Sequence, residues 1–113
     1  MKKKEKIALV IEGGGFKSVF TAGVLDAFLV SQFNPFHIYI GVSSGAMSLS
    51  YYVSNQYKSY FKLSKEVCIQ EEFLSYTHAL SEQGYMDLKY LTKYAKENNP
   101  LEFEKIKESV ENK

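Results

Sequence analysis

Two short stretches carry the residue types that chemistry needs. Gly41-Val42-Ser43-Ser44-Gly45 places a serine between glycines two residues to either side. Set between a strand and a helix, that spacing makes a nucleophile elbow: the serine occupies a sharp, strained turn and its hydroxyl stands clear of the sheet. The flanking glycines let two chain segments pass without a side-chain clash. The helix that follows turns free N–H groups and the positive end of its dipole toward developing negative charge. The second stretch is Gly13-Gly14-Gly15-Phe16-Lys17-Ser18. Three successive residues without a β-carbon let the backbone approach another group closely, and a helix start offers N–H donors. A nucleophile on one loop and donors for an oxyanion on the other are the working parts of acyl transfer.

Each stretch also has a plainer reading. The first fits a tight turn in which Ser43 or Ser44 caps a helix, and the second fits a flexible turn. Nucleotide binding fits neither. A Walker A loop needs glycine immediately before Lys-Ser, and Phe16 stands there. A dinucleotide site needs an acidic residue at the end of the second strand, and Gly41-Val42-Ser43 stands there instead. No cofactor is therefore expected. The single cysteine, Cys68, leaves no intrachain disulfide and no multi-cysteine metal site, so no metal is expected either. Cys68 reads as a small buried hydrophobe.

A serine nucleophile also needs a base. His37 precedes the second strand and Ser43 follows it, which separates them by about 20 Å of extended chain. His37 thus belongs to the wrong end of the sheet. His78 falls in a stretch with no clear pattern. Glu12 reads as a structural strand end, Asp26 lies on the first helix, and Asp87 reads as a helix cap. None is a convincing base.

The elements that must position the loops follow from the apolar pattern. Ile7 to Ile11 is a continuous aliphatic run, which predicts a strand covered on both faces. Val19 to Leu29 repeats apolar residues at helical spacing, Asn34-Pro35 marks a turn, and Ile38-Tyr39-Ile40 is a second short strand. Ala46 to Val53 reads as a helix. Thirty residues separate Gly13 from Ser43, about the length of one βαβ unit, so the two strands should lie parallel. Their C-terminal ends would then sit side by side, where open α/β sheets bind ligands. Beyond this unit the pattern weakens. Residues 57–80 show no firm period, 81–84 read as a loop, 87–97 as a helix stopped by Asn98-Asn99-Pro100, and 101–113 as a solvated helix. Tyr51-Tyr52 and the Tyr57 to Phe61 stretch fit core packing better than an aromatic surface for lipid.

The chain has 113 residues, 45% of them hydrophobic and 15% aromatic, enough for one domain with a real core. A formal charge of +1 is not the basic footprint of a nucleic-acid binder, so no nucleic acid is expected. The apolar run after Met1-Lys2-Lys3-Lys4 stops at Glu12, too soon for a signal peptide, and no run reaches the roughly 18 residues of a spanning helix. A cytoplasmic location is expected, with the leading lysines able to make peripheral contact with an anionic membrane.

Taken together, Ile11-Glu12-Gly13-Gly14-Gly15-Phe16-Lys17-Ser18, Thr21-Ala22-Gly23-Val24-Leu25-Asp26 and Gly41-Val42-Ser43-Ser44-Gly45-Ala46 resemble the N-terminal part of bacterial patatin-like phospholipases. The resemblance is strongest over residues 7–53. Gly84-Tyr85-Met86-Asp87-Leu88 is similar to a later part of the same domain. The resemblance implies a three-layer α/β/α fold with a mostly parallel sheet. It implies a serine lipid acyl hydrolase with a Ser-Asp dyad, acting on a lipid ester or phospholipid. By it, Ser43 is the nucleophile, Gly41 and Gly45 frame the elbow, and the Gly13-Gly14-Gly15 loop is the oxyanion hole. Gly14 and Gly15 supply its amides, and Lys17 stands where the family carries Arg or Lys. Ser18 departs from the family's glycine. The family's Asp lies in Asp-Gly-Gly or Asp-Gly-Ala, and neither Asp26 nor Asp87 is followed by glycine. Residues 1–113 are thus expected to be the N-terminal portion of one such domain, with the Asp beyond Lys113. The alternative is a catalytically incomplete fragment that binds lipid or a partner. A sheet left open at its edge would admit a second copy of the chain.

Overall fold

The first apolar run forms strand β1 (Ala8–Ile11), and the second forms β2 (Ile38–Gly41). The computed structural model describes residues 5–68 and 88–111. The strands pair in parallel, with Ala8 opposite Ile38 and Ile11 opposite Gly41. His37 fixes the start of this ladder. Its N–H donates to the Ile7 carbonyl at 2.8 Å, and its Nδ1 accepts the Ile7 N–H at 3.2 Å.

The crossover between the strands is a single 3-10 turn (Gly15–Lys17) running into helix α1 (Ser18–Val30). The helix ends where Ser31 Oγ donates to the Ala27 carbonyl at 2.8 Å and Gln32 takes a positive φ of 54°. The reversal thus falls at Ser31-Gln32, ahead of the Asn34-Pro35 expected from sequence. Asn34 instead accepts the Tyr39 hydroxyl on its Oδ1 at 2.7 Å. Helix α2 (Ser44–Val53) follows β2 directly. Helices α3 (Ser59–Cys68), α4 (Leu88–Asn98) and α5 (Phe103–Glu111) complete the described chain. Helix α3 lies in the stretch where no period could be read. Helix α4 stops at Asn98, as Asn98-Asn99-Pro100 requires.

Two adjacent tyrosines on α2 feed two separate cores. Tyr51 joins Ala22, Tyr60, Leu63, Val67 and Ala95 between the helices. Tyr52 joins Ile11, Leu25, Phe36, Leu49 and Val53 against the sheet. Both tyrosines are buried, which bears out the core reading, whereas Tyr57 and Phe61 are exposed. Each buried hydroxyl has a partner, as burial demands. Tyr51 donates to the Asn99 carbonyl at 2.6 Å, and Tyr52 to the Phe33 carbonyl at 2.8 Å. Helix α5 buries no residue, but Ser109 Oγ donates to the Val53 carbonyl at 2.8 Å and holds it against α2.

The result is the α/β arrangement expected of the N-terminal part of a patatin-like domain. One expectation needs correction. β1 is covered on one face only among the described residues. Ile11 is buried, but Val10 is 63% exposed, and its neighbour across the ladder, Ile40, is 48% exposed. Side chains alternate across a strand, and the described helices pack on the side of Leu9, Ile11 and Tyr39. No helix among the described residues is long and apolar enough to cross a membrane.

Burial pushes the Tyr51 and Tyr52 hydroxyls up from 10.0 to about 12, with the nearby Tyr60 and Tyr39 hydroxyls adding to it. The unfolded chain therefore releases these protons first. Stability from these two groups is intact below pH 10 and is lost as pH rises from there through about 12. We expect urea unfolding midpoints to fall over that window, and Tyr51→Phe and Tyr52→Phe to flatten the fall. A window unchanged in both variants would contradict this assignment.

Candidate active site

Parallel pairing puts the ends of β1 and β2 side by side, and each end runs straight into one of the two loops. The Val42 N–H extends the ladder by one bond, donating to the Ile11 carbonyl at 3.1 Å. The chain then turns sharply. Gly45 N–H donates to the Val42 carbonyl at 2.9 Å, and Ala46 N–H donates to the Ser43 carbonyl at 2.9 Å. Ser43, at the apex, is held at φ 54°, ψ −127°. A residue with a β-carbon avoids that region, at a cost of about 1–3 kcal/mol that its surroundings must hold in place.

The flanking glycines make the turn geometrically possible. A β-carbon at Gly41 would stand 2.6 Å from Ala46 Cα. One at Gly45 would stand 2.8 Å from the Ile11 carbonyl oxygen and closer still to that of Glu12. Helix α2 therefore rests its first turn directly on the backbone at the end of β1. Glu12, expected as a structural strand end, contributes its carbonyl to this contact while its side chain faces solvent.

Ser43 is exposed, and its hydroxyl bonds to no described residue. The tight turn is present, but the Ser43 hydroxyl makes no capping bond to α2. Ser44 does not serve as the cap either: its hydroxyl is buried and meets the Ser18 hydroxyl at 2.7 Å.

The glycine stretch lies beside the serine. A β-carbon at Gly13 would stand 3.1 Å from Ser43 Cβ, so the two loops are in contact. Gly14 and Gly15 have φ of 155° and 58°, and the Lys17 N–H closes the 3-10 turn on the Gly14 carbonyl at 3.1 Å. Lys17 lays its stem along Gly14, with its Cβ and Cδ each 3.4 Å from where a β-carbon there would be. The N–H groups of Gly14, Gly15 and Ser44 donate to no described residue.

The structure separates the other candidates from this centre. His37 is at the opposite end of the ladder, bonded to Ile7. Asp26 accepts the Lys58 N–H at 3.0 Å and so positions the start of α3. His78 and residues 84–87, Asp87 among them, lie outside the described residues. Ser18 takes no positive φ, so its backbone lies in a region open to any residue; it begins α1 and is 2% exposed. Its bond to Ser44 was not foreseen from sequence. The available signal was one serine at the first helical position after each loop.

The family model for patatin-like phospholipases matches residues 9–112. Uncharacterized protein YjjU of Escherichia coli strain K12 is 38% identical over 99 residues, which is 88% of this chain and 28% of that protein. The chain thus spans little more than a quarter of that relative's length. No solved structure gives a significant match.

The contact at Gly45 can be tested against a glycine with no such duty. Gly45→Ala places a methyl group against backbone and should destabilise by about 1–3 kcal/mol or more. Gly23, on α1, has nothing within 4 Å of a β-carbon. Gly23→Ala should stabilise by about 0.5–1 kcal/mol through helix propensity. Urea unfolding of both variants checks the pair of signs.

Proposed function

The chain belongs to the patatin-like phospholipase family, a family of lipid acyl hydrolases, and on that premise we propose that Ser43 is the nucleophile of a serine lipid acyl hydrolase. One observation carries the proposal. Ser43, exposed and with a hydroxyl that bonds to no described residue, is held in a strained conformation and touches the Gly13-Gly14-Gly15 loop, in which the Gly14 and Gly15 amides likewise donate to no described residue. Structural economy alone gives no reason to keep both the strain and the unused donors.

In the reaction, Ser43 Oγ attacks the carbonyl carbon of a lipid ester and passes its proton to a base. The carbonyl oxygen becomes an oxyanion within reach of the Gly14 and Gly15 N–H groups. Such donors act on the transition state more than on the flat ester, and each is worth about 10²–10³ in rate. Lys17, lying over Gly14, keeps the 3-10 turn closed and adds positive charge beside the loop. Collapse of the intermediate breaks the bond to the ester oxygen, which takes the proton from the base and leaves as the alcohol, and an acyl-serine remains. Water, deprotonated by the same base, then releases the fatty acid and restores the Ser43 hydroxyl. The base is the dyad aspartate of the family, supplied by a part of the protein outside these 113 residues. The positive leader, Lys2 to Lys4, would favour an anionic lipid surface.

The protein translated from its whole reading frame should hydrolyse a chromogenic fatty-acyl ester, and Ser43→Ala should lower the rate at least about 10³-fold. Full activity in that variant would remove the assignment. A fluorophosphonate probe on the 113-residue chain separates the second possibility, a lipid-binding piece without a base. Labelling of Ser43 at the rate of an intact serine hydrolase would mean that the chain carries a base of its own.

A further inference from the structure

The Ser18–Ser44 pair is a buried side-chain hydrogen bond that joins the starts of the two helices following the loops. The hydroxyls lie 2.7 Å apart across 26 residues of sequence, one donating to the other. Ser18 is 2% exposed and Ser44 8% exposed. Neither hydroxyl has another described partner, so the two share a single hydrogen bond, one donating and the other accepting, where water has little access.

Their places in the chain give the bond its consequence. Ser18 is the first residue of α1, next to Lys17 and the closed 3-10 turn. Ser44 is the first residue of α2, next to Ser43. The bond therefore ties the residue that ends the donor loop to the residue that follows the nucleophile. The strand ends are already locked by the Gly45 contact on β1. That contact fixes the loops at their roots, and Ala22 and Leu25 packed against Tyr51, Leu49 and Tyr52 hold α1 and α2 together further along. The hydroxyl pair adds an attachment at the first residue of each helix, next to the loops themselves. Two attachments on opposite sides of a gap define its width, and a transition state is sensitive to that width at the scale of an ångström.

We propose that Ser18 and Ser44 are positioning residues: their shared hydrogen bond sets the spacing between the Gly14-Gly15 donors and Ser43. The proposal rests on the hydrolase reading for its effect on rate, but not for its effect on the loop.

The test uses Ser18→Ala, Ser44→Ala and the double variant in the whole protein, with three readouts. Each single variant strands one buried hydroxyl and should lower the melting temperature. The double variant strands none and should recover most of that loss. Ester hydrolysis should behave differently: kcat should fall about tenfold in all three, the double variant included, with KM little changed. Hydrogen exchange at the Lys17 amide, which closes the turn on Gly14, should accelerate in Ser44→Ala although the change lies 27 residues away. Recovery of kcat together with stability in the double variant would make the pair merely structural and overturn the proposal. So would unchanged exchange at Lys17. If the unaltered protein hydrolyses no ester, the hydrolase reading falls and the exchange measurement alone decides whether the pair spaces the loops. Should the single variants fail to fold, the double variant answers both questions.

Discussion

A backbone-on-backbone contact holds the candidate site together. Helix α2 begins with Gly45 seated on the Ile11 and Glu12 carbonyls at the end of β1, where no side chain would fit. The contact is possible only because the strands are parallel and in register, with Ile11 opposite Gly41. Everything at the site depends on it. Ser43 can be strained because the chain on both sides is pinned, by the Val42 bond to Ile11 before it and by the seated helix after it. The glycine loop can lie beside Ser43 because the same strand end carries both Gly13 and the seat for Gly45.

The load is then passed to the cores. Helix α2 is short, ten residues, and a helix of that length has little stability of its own. It is held by Tyr51 in one cluster and Tyr52 in the other, each with its hydroxyl bonded to a carbonyl of a different segment. The tyrosines belong to the machinery that fixes the elbow, although they stand two turns from it. Asp26 works in the same way at a further remove, holding the start of α3, whose Leu63 and Val67 are fully buried against the Tyr51 cluster.

The legible part of the sequence was the part where local chemistry dictates conformation. Gly41 to Gly45 and Gly13 to Gly15 allow few backbone paths, and the apolar runs beside them fix strand and helix, so the βαβ unit and its two loops could be read directly. The placement of His37 at the far end followed from strand length alone. What could not be read depends on contacts between segments distant in the chain. Helix α3 has a mixed surface whose buried residues, Tyr60, Leu63 and Val67, make sense only against α1, α2 and α4. The Ser18–Ser44 bond joins residues that look, singly, like helix-start serines. Among the described residues the coverage of β1 differs from the expectation for a related reason. A continuous aliphatic run reports what a strand is suited to, while exposure depends on which helices the chain supplies.

That bare face has a consequence for how the 113-residue polypeptide behaves in water. Among the described residues, Val10, Ile38 and Ile40 form a nonpolar strip on the side of the sheet away from the described helices, 63%, 43% and 48% exposed. A formal charge of +1 gives two copies almost no Coulombic barrier to approach. The strip adds to the other exposed apolar residues, Phe20 and Phe103 among them, so solubility will fall as kosmotropic salt is added.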